Sequence, residues 1–339
     1  MSDQEGTVDV LGGDGMAIVT RDLHRRYGAR VALNGLDLNV PRGRVYGFLG
    51  PNGSGKTTTL RVLVGLIKPD RGRIAVLGTP FQWGDRRRMF RIGALIESPT
   101  FYPYLSGREN LQVFAAAGPP TPRSRVEEVL DAVGMQERAR DKVKTYSLGM
   151  RQRLGIAGAL LSDPELLLLD EPANGLDPAG IVAMRELLRY LTASGKTVVV
   201  SSHILTEVQQ LADVVGIIDH GRLVREGPME RLLAEGAQVR VRVAPDQVGQ
   251  ALSILTQRAP AQALAPDGQG DGWIVVQVSV DRAADVNRLL ASAGVWASVI
   301  QPTSDLESVF LSLTATAPSL DPTVGPPQGW GMAPPGDVR

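Results

Sequence analysis

The chain has 339 residues, which is enough for a large core and two domains. Its 36 Lys and Arg residues balance 36 Asp and Glu residues, so no overall charge draws it to an anionic membrane or to nucleic acid, and we expect no nucleic-acid partner. The absence of cysteine excludes disulfides and thiolate metal sites. No apolar run approaches the ~18 residues of a membrane span. The polar N-terminus lacks the pattern of a secretory signal.

Strand-like and helix-like segments alternate from residue 17 to residue 226. Short runs of alternating or continuous apolar residues predict strands at 17–22, 36–40, 45–49, 73–77, 92–96, 166–169, 197–201, 214–219 and 222–226. Helical spacing and capping signals predict helices at 57–66, 106–117, 125–133, 150–161, 178–194 and 204–211. This order is typical of an α/β fold with a parallel, doubly wound sheet.

The composition shifts near Gly236, where a second domain is expected to begin. Strands are predicted at 239–243, 274–280 and 295–300, helices at 246–256, 283–293 and 304–313, and a loop at 259–272. This pattern predicts a small α+β accessory domain over 236–314. The polar stretch 1–15 is interpreted as a flexible lead, the arginine-rich stretch 85–90 as a solvated helix face, and the Pro- and Gly-rich stretch 315–339 as a disordered tail.

The stretch from Gly50 to Thr58 organises the chain. It follows an apolar strand, precedes a helix and fits the phosphate-binding pattern G-x-x-x-x-G-K-[ST]. Glycines let backbone N–H groups approach an anion, and the helix N-terminus adds partial positive charge. Lys56 is expected to reach the terminal phosphates, and the Thr57 hydroxyl to bind Mg²⁺. The candidate nucleotide-binding residues here are Gly50, Asn52, Gly53, Ser54, Gly55, Lys56, Thr57 and Thr58.

Two carboxylates follow the apolar strand 166–169 and form the second signal. Asp170 stands at the carboxyl end of that strand, where open α/β sheets place their ligands, and it is a candidate Mg²⁺ ligand through the ion's water shell. Glu171 is a candidate base that orients and deprotonates water for in-line attack on the γ-phosphate. An ordinary solvated strand end is the alternative for both.

The segment from Tyr146 to Gln152 is the third signal, and with it the sequence resembles the ATP-binding cassette (ABC) family of transporter ATPases over roughly residues 17 to 235. The family's signature loop usually has the sequence Leu-Ser-Gly-Gly-Gln, and this chain has Tyr146-Ser147-Leu148-Gly149-Met150. Ser147 offers a hydroxyl and Gly149 a backbone N–H at a helix N-terminus, both suited to an anion. Leu148 and Met150 depart from the common form, and an ordinary helix cap is the alternative.

The resemblance assigns roles to three further residues. Tyr27 matches the family's aromatic residue that stacks on adenine, although a lone Tyr is more often part of a core. Asp177 matches the loop that crosses the dimer interface, and it is also a candidate N-cap of the helix that starts at Pro178. His203 matches the switch histidine that contacts the γ-phosphate.

Glu97 departs from the family pattern, which usually has Gln at the end of this strand. The glutamate keeps an acceptor oxygen but adds a negative charge beside Asp170 and Glu171. Glu97 with the loop Ser-Pro-Thr-Phe-Tyr-Pro resembles exporters of peptide antibiotics, the bacitracin and lantibiotic self-protection group. We interpret Glu97 as a catalytic residue that contacts Mg²⁺ and the attacking water, with a surface carboxylate as the alternative.

Exposed aromatic residues follow Glu97, and a closing helix ends the second domain. Phe101, Tyr102 and Tyr104 match the region where the family receives a helix of the membrane subunit, and local packing is the alternative.

The closing helix resembles that of drug-exporter ATPases. Its apolar residues Leu306, Val309, Phe310 and Leu313 lie at helical spacing and are expected in a core or a dimer contact.

The resemblance implies an α/β fold, namely a P-loop ABC ATPase domain over 16–235 with a mixed sheet core and a helical subdomain at about 98–162. It implies ATP and Mg²⁺ as cofactors, and a homodimer, or a heterodimer with a homologous cassette, that closes around ATP. The dimer would drive a separate membrane permease that exports a drug, peptide antibiotic or other amphiphile, which implies a cytoplasmic protein on the inner face of the membrane. The alternatives are a soluble ATP-driven dimerisation switch and an importer ATPase.

Overall fold

The computed structural model describes residues 15–84, 90–97, 100–264 and 272–314, with side chains up to residue 310. Our predictions for the N-terminal lead, for the arginine-rich stretch 85–89, for positions 98–99 and for the C-terminal tail lie outside these residues. Within the described residues, no helix is long and apolar enough to cross a membrane.

Among the described residues, the first part of the chain contains ten strands and seven helices, of which the strand Thr79–Pro80 and the helix Met229–Glu235 were not predicted from the sequence. The strands are β1 (Met16–Tyr27), β2 (Arg30–Pro41), β3 (Val45–Leu49), β4 (Arg71–Val76), β5 (Thr79–Pro80), β6 (Ile92–Leu95), β7 (Leu166–Asp170), β8 (Thr197–Ser202), β9 (Val214–Asp219) and β10 (Arg222–Pro228). The helices are α1 (Lys56–Leu63), α2 (Gly107–Ala117), α3 (Arg125–Ala132), α4 (Leu148–Leu160), α5 (Pro178–Ala193), α6 (Leu205–Leu211) and α7 (Met229–Glu235), with a 3₁₀ turn at Val143–Thr145.

The central sheet has the strand order β10-β9-β3-β8-β7-β6. The strands from β9 to β6 are parallel, and β10 pairs antiparallel with β9. Strands β3 and β8 are buried along their whole length because core clusters cover both faces of the sheet. The carboxyl ends of β3, β6, β7 and β8 therefore meet at one edge.

The first strands do not join the parallel sheet that the alternation predicts. They form a separate antiparallel sheet with the order β2-β1-β4-β5. Tyr27 pairs with Arg30 across a two-residue connection, and a connection this short permits only antiparallel pairing. Strand β1 consequently continues through Tyr27, five residues beyond the predicted end. The two sheets together give the mixed sheet core that the family resemblance implies.

Helices α2, α3 and α4 pack against one another beside the central sheet. The capping box predicted for the first of them is confirmed: the Ser106 hydroxyl accepts a hydrogen bond from the Glu109 N–H at 3.2 Å, and the Glu109 carboxylate accepts one from the Ser106 N–H at 2.7 Å. The Tyr146 hydroxyl donates to the Arg138 carbonyl at 2.6 Å. This bond helps to fix the chain where it enters α4.

A third sheet follows residue 236. It contains β11 (Gln238–Arg242), β12 (Ala261–Ala263), β13 (Trp273–Val276) and β14 (Val299–Thr303) in the order β12-β13-β11-β14, all antiparallel. Helices α8 (Val248–Thr256) and α9 (Ala283–Ser292) complete its own apolar core, and α10 (Leu306–Thr314) closes the described chain.

Three strands of this sheet differ from the prediction. The strand predicted at 274–280 ends at Val276, and Val280 begins a 3₁₀ turn instead. The strand expected at 295–300 begins at Val299, because Gly294 adopts a positive φ of 74° and the Val295 N–H still bonds the Leu290 carbonyl of the preceding helix. Strand β12 lies inside the predicted loop 259–272. Its residues, two alanines and a glutamine, have weak strand propensity, so only their pairing with β13 makes them a strand.

The last helix packs its apolar side chains on the first part of the chain, and its Ser308 hydroxyl accepts a hydrogen bond from the Gln238 side chain of β11 at 2.8 Å. Leu306 and Val309 are buried in the core cluster that also contains Val208 and Leu232, and Phe310 packs against it. The Gln209 side chain accepts a hydrogen bond from the Leu306 N–H at 3.1 Å. The predicted apolar stripe is thus a core contact through Phe310, while the side chain of Leu313 lies outside the described part.

A half-buried hydrogen-bond network joins the two sheets of the first part. The Tyr46 hydroxyl donates to the Glu226 carboxylate at 2.6 Å, and the same carboxylate accepts from the Asn39 backbone N–H at 3.0 Å and from its side-chain amide at 2.9 Å. The three residues belong to β3, β10 and β2. Tyr46 is completely buried.

We expect Tyr46→Phe to lower the free energy of unfolding by about 1–3 kcal/mol, because it removes the hydrogen bond from a fully buried phenol to a half-buried carboxylate. Urea unfolding measures this loss. Tyr190→Phe at an exposed position is the matched control and should change stability by less than about 0.5 kcal/mol. Equal stability of wild type and Tyr46→Phe would contradict the prediction.

The same network gives stability a dependence on alkaline pH. Burial and the neighbouring Glu226 carboxylate raise the pKa of Tyr46 well above its usual value. The folded state therefore favours the neutral phenol, so this contribution is complete below pH ~10 and is lost as the pH rises beyond that value. The free energy of unfolding of Tyr46→Phe should therefore fall less than that of the wild type as the pH rises above ~10.

Candidate functional site

The loop between β3 and α1 has the geometry of a phosphate cradle. Gly53 and Gly55 adopt φ values of 82° and 115°. A Cβ at Gly50 would lie 2.3 Å from the Ile218 carbonyl oxygen, and one at Gly55 would lie 2.6 Å from the Ala32 carbonyl oxygen. Both positions therefore require glycine. The Ser54 hydroxyl is buried and has no hydrogen-bond partner among the described residues, as expected of a loop shaped for an anion.

Lys56 begins α1 and is 5% exposed. Its ammonium donates to the carbonyl oxygens of Gly50 at 2.7 Å and Pro51 at 3.2 Å, and it lies 3.8 Å from the Glu171 carboxylate. Burial lowers the pKa of Lys56, and the nearby carboxylates of Glu171 and Asp170 oppose that shift. A buried cation held by loop carbonyls is available to an anionic ligand in the cradle.

Asp170 ends β7 and contacts the first turn of α1. It accepts a hydrogen bond from the Thr57 hydroxyl at 2.8 Å and another from the Ser201 hydroxyl of the neighbouring strand β8. The parallel register sets Asp170 opposite Ser201 and so fixes the second contact. A hydroxyl and a carboxylate oxygen at this distance are hard oxygen donors that suit Mg²⁺.

Glu171 follows Asp170 with a φ of 45°, a backbone conformation that is uncommon for a residue with a side chain. Its N–H donates to the Ser201 hydroxyl at 3.0 Å and to the Ser201 carbonyl at 3.2 Å. Its carboxylate lies 2.9 Å from Nδ1 of His203. Strands β7 and β8 thus bring together the predicted base and the predicted switch histidine.

One cavity of about 300 Å³ joins the phosphate cradle to Tyr27. Of the predicted residues, it is lined by Tyr27, Asn52, Gly53, Gly55, Lys56, Thr57, Thr58 and Glu171. Tyr27 is 40% exposed, and the Arg25 guanidinium lies 4.8 Å from its ring centroid, a cation–π contact. The Tyr27 ring is therefore part-exposed beside the Arg25 guanidinium and does not belong to the core.

Two arginines of this cavity were missed by the sequence interpretation. Arg30 and Arg61 both line it, and an Arg30 N–H donates to the Gly53 carbonyl at 3.4 Å. Arg61 stands four residues after Thr57 on α1, and that helical spacing is the one signal that could have found it.

Ser147, Gly149 and Asp177 line a different, open cavity of about 620 Å³. The Ser147 hydroxyl accepts a hydrogen bond from the Met150 N–H at 3.2 Å and caps α4. The Asp177 carboxylate accepts one from the Gly180 N–H at 3.0 Å and caps α5. Within one chain, these residues do not line the cavity that Lys56 and Tyr27 share.

Glu97 follows β6 with a φ of 68° and is largely exposed. Its carboxylate pairs with the Arg61 guanidinium, whereas Asp170 pairs with Thr57. Among the described residues, no three His, Asp or Glu side chains gather into a metal-binding cluster. Glu97 and Asp170 therefore both contact α1, Glu97 through Arg61 and Asp170 through Thr57.

Comparison with known proteins places this geometry in a family. A family model described as ABC transporter matches residues 33–174. The bacitracin transport ATP-binding protein BcrA of Bacillus licheniformis is 41% identical over 298 residues, 87% of this chain and 96% of BcrA. The daunorubicin resistance ATP-binding protein DrrA3 of Streptomyces coeruleorubidus is 38% identical over 307 residues, 88% of this chain and 96% of DrrA3.

A solved structure agrees in fold. The dimeric, post-hydrolysis structure of the ATP-binding cassette MJ0796 bound to ADP and Pi has a TM-score of 0.56 and 25% identity, and it covers 62% of this chain and 98% of the cassette. With a phosphate cradle, a buried lysine and Glu171 in one cavity, and Asp170 bonded to Thr57 beside it, these similarities identify the chain as a nucleotide-binding ATPase that belongs to the family of ABC transporter ATP-binding proteins.

Proposed function

We propose that this chain is the ATP-hydrolysing subunit of an ABC exporter, one that dimerises around ATP and drives a separate membrane permease. The observation that carries this proposal is the separation of Lys56 and Glu171 from Ser147 and Gly149 into two cavities of one chain. Two copies arranged head to tail would bring each phosphate cradle to the partner's signature loop. The dimer of MJ0796 supports this arrangement.

The proposed chemistry begins with a nucleotide held by this chain's own groups. Adenine stacks on Tyr27, and the phosphates lie on the loop N–H groups from Gly50 to Thr58 and on Lys56. Thr57 and Asp170 would hold Mg²⁺, which when bound neutralises charge on the phosphates. Glu97 would approach the same ion, because it follows the strand next to β7.

Hydrolysis needs a base and a sensor of the γ-phosphate. Glu171 accepts the proton of the attacking water, and His203, at 2.9 Å from its carboxylate, holds that carboxylate and contacts the γ-phosphate. Loss of the γ-phosphate then releases the dimer. Asp177 belongs to the interface that opens, next to Ser147 and Gly149 on one surface.

The permease would dock on the aromatic loop after Glu97. Tyr102 and Tyr104 are 57% and 73% exposed, and the Lys144 ammonium lies 5.5 Å from the Tyr104 ring. Phe101 instead stacks on Phe114 at 5.8 Å and supports the loop from inside. Docking on a membrane subunit makes the expected location the cytoplasmic face of the membrane. The names of BcrA and DrrA3 support an antibiotic or hydrophobic drug as the cargo.

We expect Tyr104→Ala to lose most copurification with the permease while ATP binding is unchanged, because the ring is an exposed anchor far from the phosphates. Affinity purification of the tagged chain with its membrane partner measures this. Tyr190→Phe is the control and should retain the partner. A Tyr104→Ala chain that copurifies at the wild-type level would count against the docking assignment.

The experiment that tests the proposed function is reconstitution of this chain with the membrane protein encoded beside it. ATPase activity that rises severalfold with bacitracin-like peptides or daunorubicin-like drugs supports an exporter. Activity that needs no membrane partner and responds to none of them would support a soluble switch instead. We also propose the domain division of 16–235 for the cassette and 236–314 for the accessory domain, with α10 returning to the cassette core.

A further inference from the structure

Glu97 adds a third carboxylate to one edge of the central sheet. Strands β6 and β7 are parallel, with Leu95 opposite Leu169, so Glu97 and Glu171 each follow two residues after this last pair, at the same end of the sheet. Asp170 directly precedes Glu171 at the end of β7. A triphosphate that enters the cradle therefore approaches three negative charges, and like charges at short range repel.

Arg61 forms an ion pair with this third carboxylate. It lies one turn after Thr57 on α1, on the same side of the helix, and its guanidinium pairs with the Glu97 carboxylate. Arg61 also lines the nucleotide cavity, together with Lys56 and Thr57. One face of α1 thus contacts the ends of two adjacent strands, through Thr57 with Asp170 and through Arg61 with Glu97.

We propose that Arg61 is a positioning residue that holds the Glu97 carboxylate beside the cavity and cancels its charge, so that a nucleoside triphosphate binds next to a residue that would otherwise repel it. The inference rests on the proposed function, because it concerns the same phosphate site.

Two other roles for Arg61 make different predictions. A surface ion pair between exposed side chains usually contributes little, and its loss would leave nucleotide affinity unchanged. A direct phosphate ligand would cost affinity when removed, whatever residue occupies position 97. A counter-charge of Glu97 costs affinity only while the glutamate is present.

The test measures binding of the magnesium complex of AMP-PNP, a non-hydrolysable ATP analogue, to the full chain by calorimetry. We expect Arg61→Ala to weaken binding by about tenfold, on the order of one charge near the phosphates that is partly screened by solvent. Arg61→Lys should stay within about threefold of wild type because it keeps the charge. The double variant Arg61→Ala with Glu97→Gln should bind within about threefold of Glu97→Gln alone, since that single variant carries by itself any contribution of Glu97 to the magnesium complex.

A matched control removes an Arg–Glu pair elsewhere. Arg225 pairs with Glu235 on the surface of β10 and α7, so Arg225→Ala should leave AMP-PNP affinity unchanged. The loss in Arg61→Ala should also shrink at about 1 M salt, where charges are screened beyond ~3 Å. A structural defect would move the unfolding midpoint instead, and circular dichroism of each variant measures that.

A double variant that matches Glu97→Gln and binds more tightly than Arg61→Ala supports the proposal. Unchanged affinity in Arg61→Ala, or a double variant as weak as Arg61→Ala, overturns it and leaves the proposed function standing. Wild-type protein that binds no AMP-PNP would overturn the proposed function itself, so the two failures are distinct.

Discussion

Glu171→Gln is expected to reduce ATP hydrolysis by about 10²–10⁴-fold, because the amide cannot accept a proton from the attacking water. The substitution keeps the shape of the side chain, and the backbone bonds to Ser201 that fix residue 171 do not depend on the carboxylate. It also removes one of the negative charges near Lys56. ATP binding should therefore persist or become tighter.

The same variant should trap a dimer. With hydrolysis blocked, ATP stays between the cradle of one copy and Ser147 of the other, and the pair does not separate. Phosphate release and size-exclusion chromatography with light scattering in Mg–ATP measure the two effects. Glu235→Gln, whose carboxylate pairs with Arg225 outside the cavity, is the control and should keep the wild-type rate. Hydrolysis at a near-normal rate would remove Glu171 from the role of base.

Gly149→Asp is expected to reduce ATP hydrolysis by at least about 100-fold. It leaves the base Glu171 in place but puts a carboxylate where the phosphates bound to the other copy would lie. A Cβ at Gly149 meets nothing closer than a Leu176 methyl carbon at 3.6 Å, an ordinary contact. The chain should therefore fold normally. A single chain should bind Mg–AMP-PNP within about twofold of wild type, because residue 149 lines a separate cavity.

Gly149→Ala is the control for the loss of glycine itself, and it should retain most of the activity. The decisive readings are phosphate release, AMP-PNP affinity and ATP-dependent dimerisation of the Glu171→Gln chain with and without Gly149→Asp. A Gly149→Asp chain that hydrolyses ATP at the wild-type rate would contradict a site shared between two copies. Loss of AMP-PNP binding by the single chain would contradict the separation of the two cavities.

The sequence predicts the parts of this site that are local. The cradle between β3 and α1, the strand-end carboxylates Asp170 and Glu171, and the capping box at Ser106 each depend on residues a few positions apart. Hydrogen bonds and backbone angles over such spans follow from residue type, so pattern and geometry agree. The structure and the relatives confirm the fold and the family.

The features that the sequence could not predict come from contacts between distant segments. Arg61 and Glu97 are separated by 36 positions, and their pairing follows from where β6 ends beside α1. The antiparallel sheet of β1, β2 and β4 and the weak strand β12 likewise depend on partners far along the chain. The local sequence around Arg61 or around β12 does not indicate which distant segment each will contact.

The return of α10 to the cassette core has a consequence for synthesis. Residues up to 235 leave the ribosome first, because translation proceeds from the N-terminus. The core cluster that contains Val208 and Leu232 is then still without Leu306 and Val309, and the Leu306 N–H has not yet reached Gln209. The nucleotide-binding domain therefore completes its packing only after the third sheet has emerged. The accessory domain separates the last helix from the core on which it packs, and the order of synthesis delays that packing until α10 has been made.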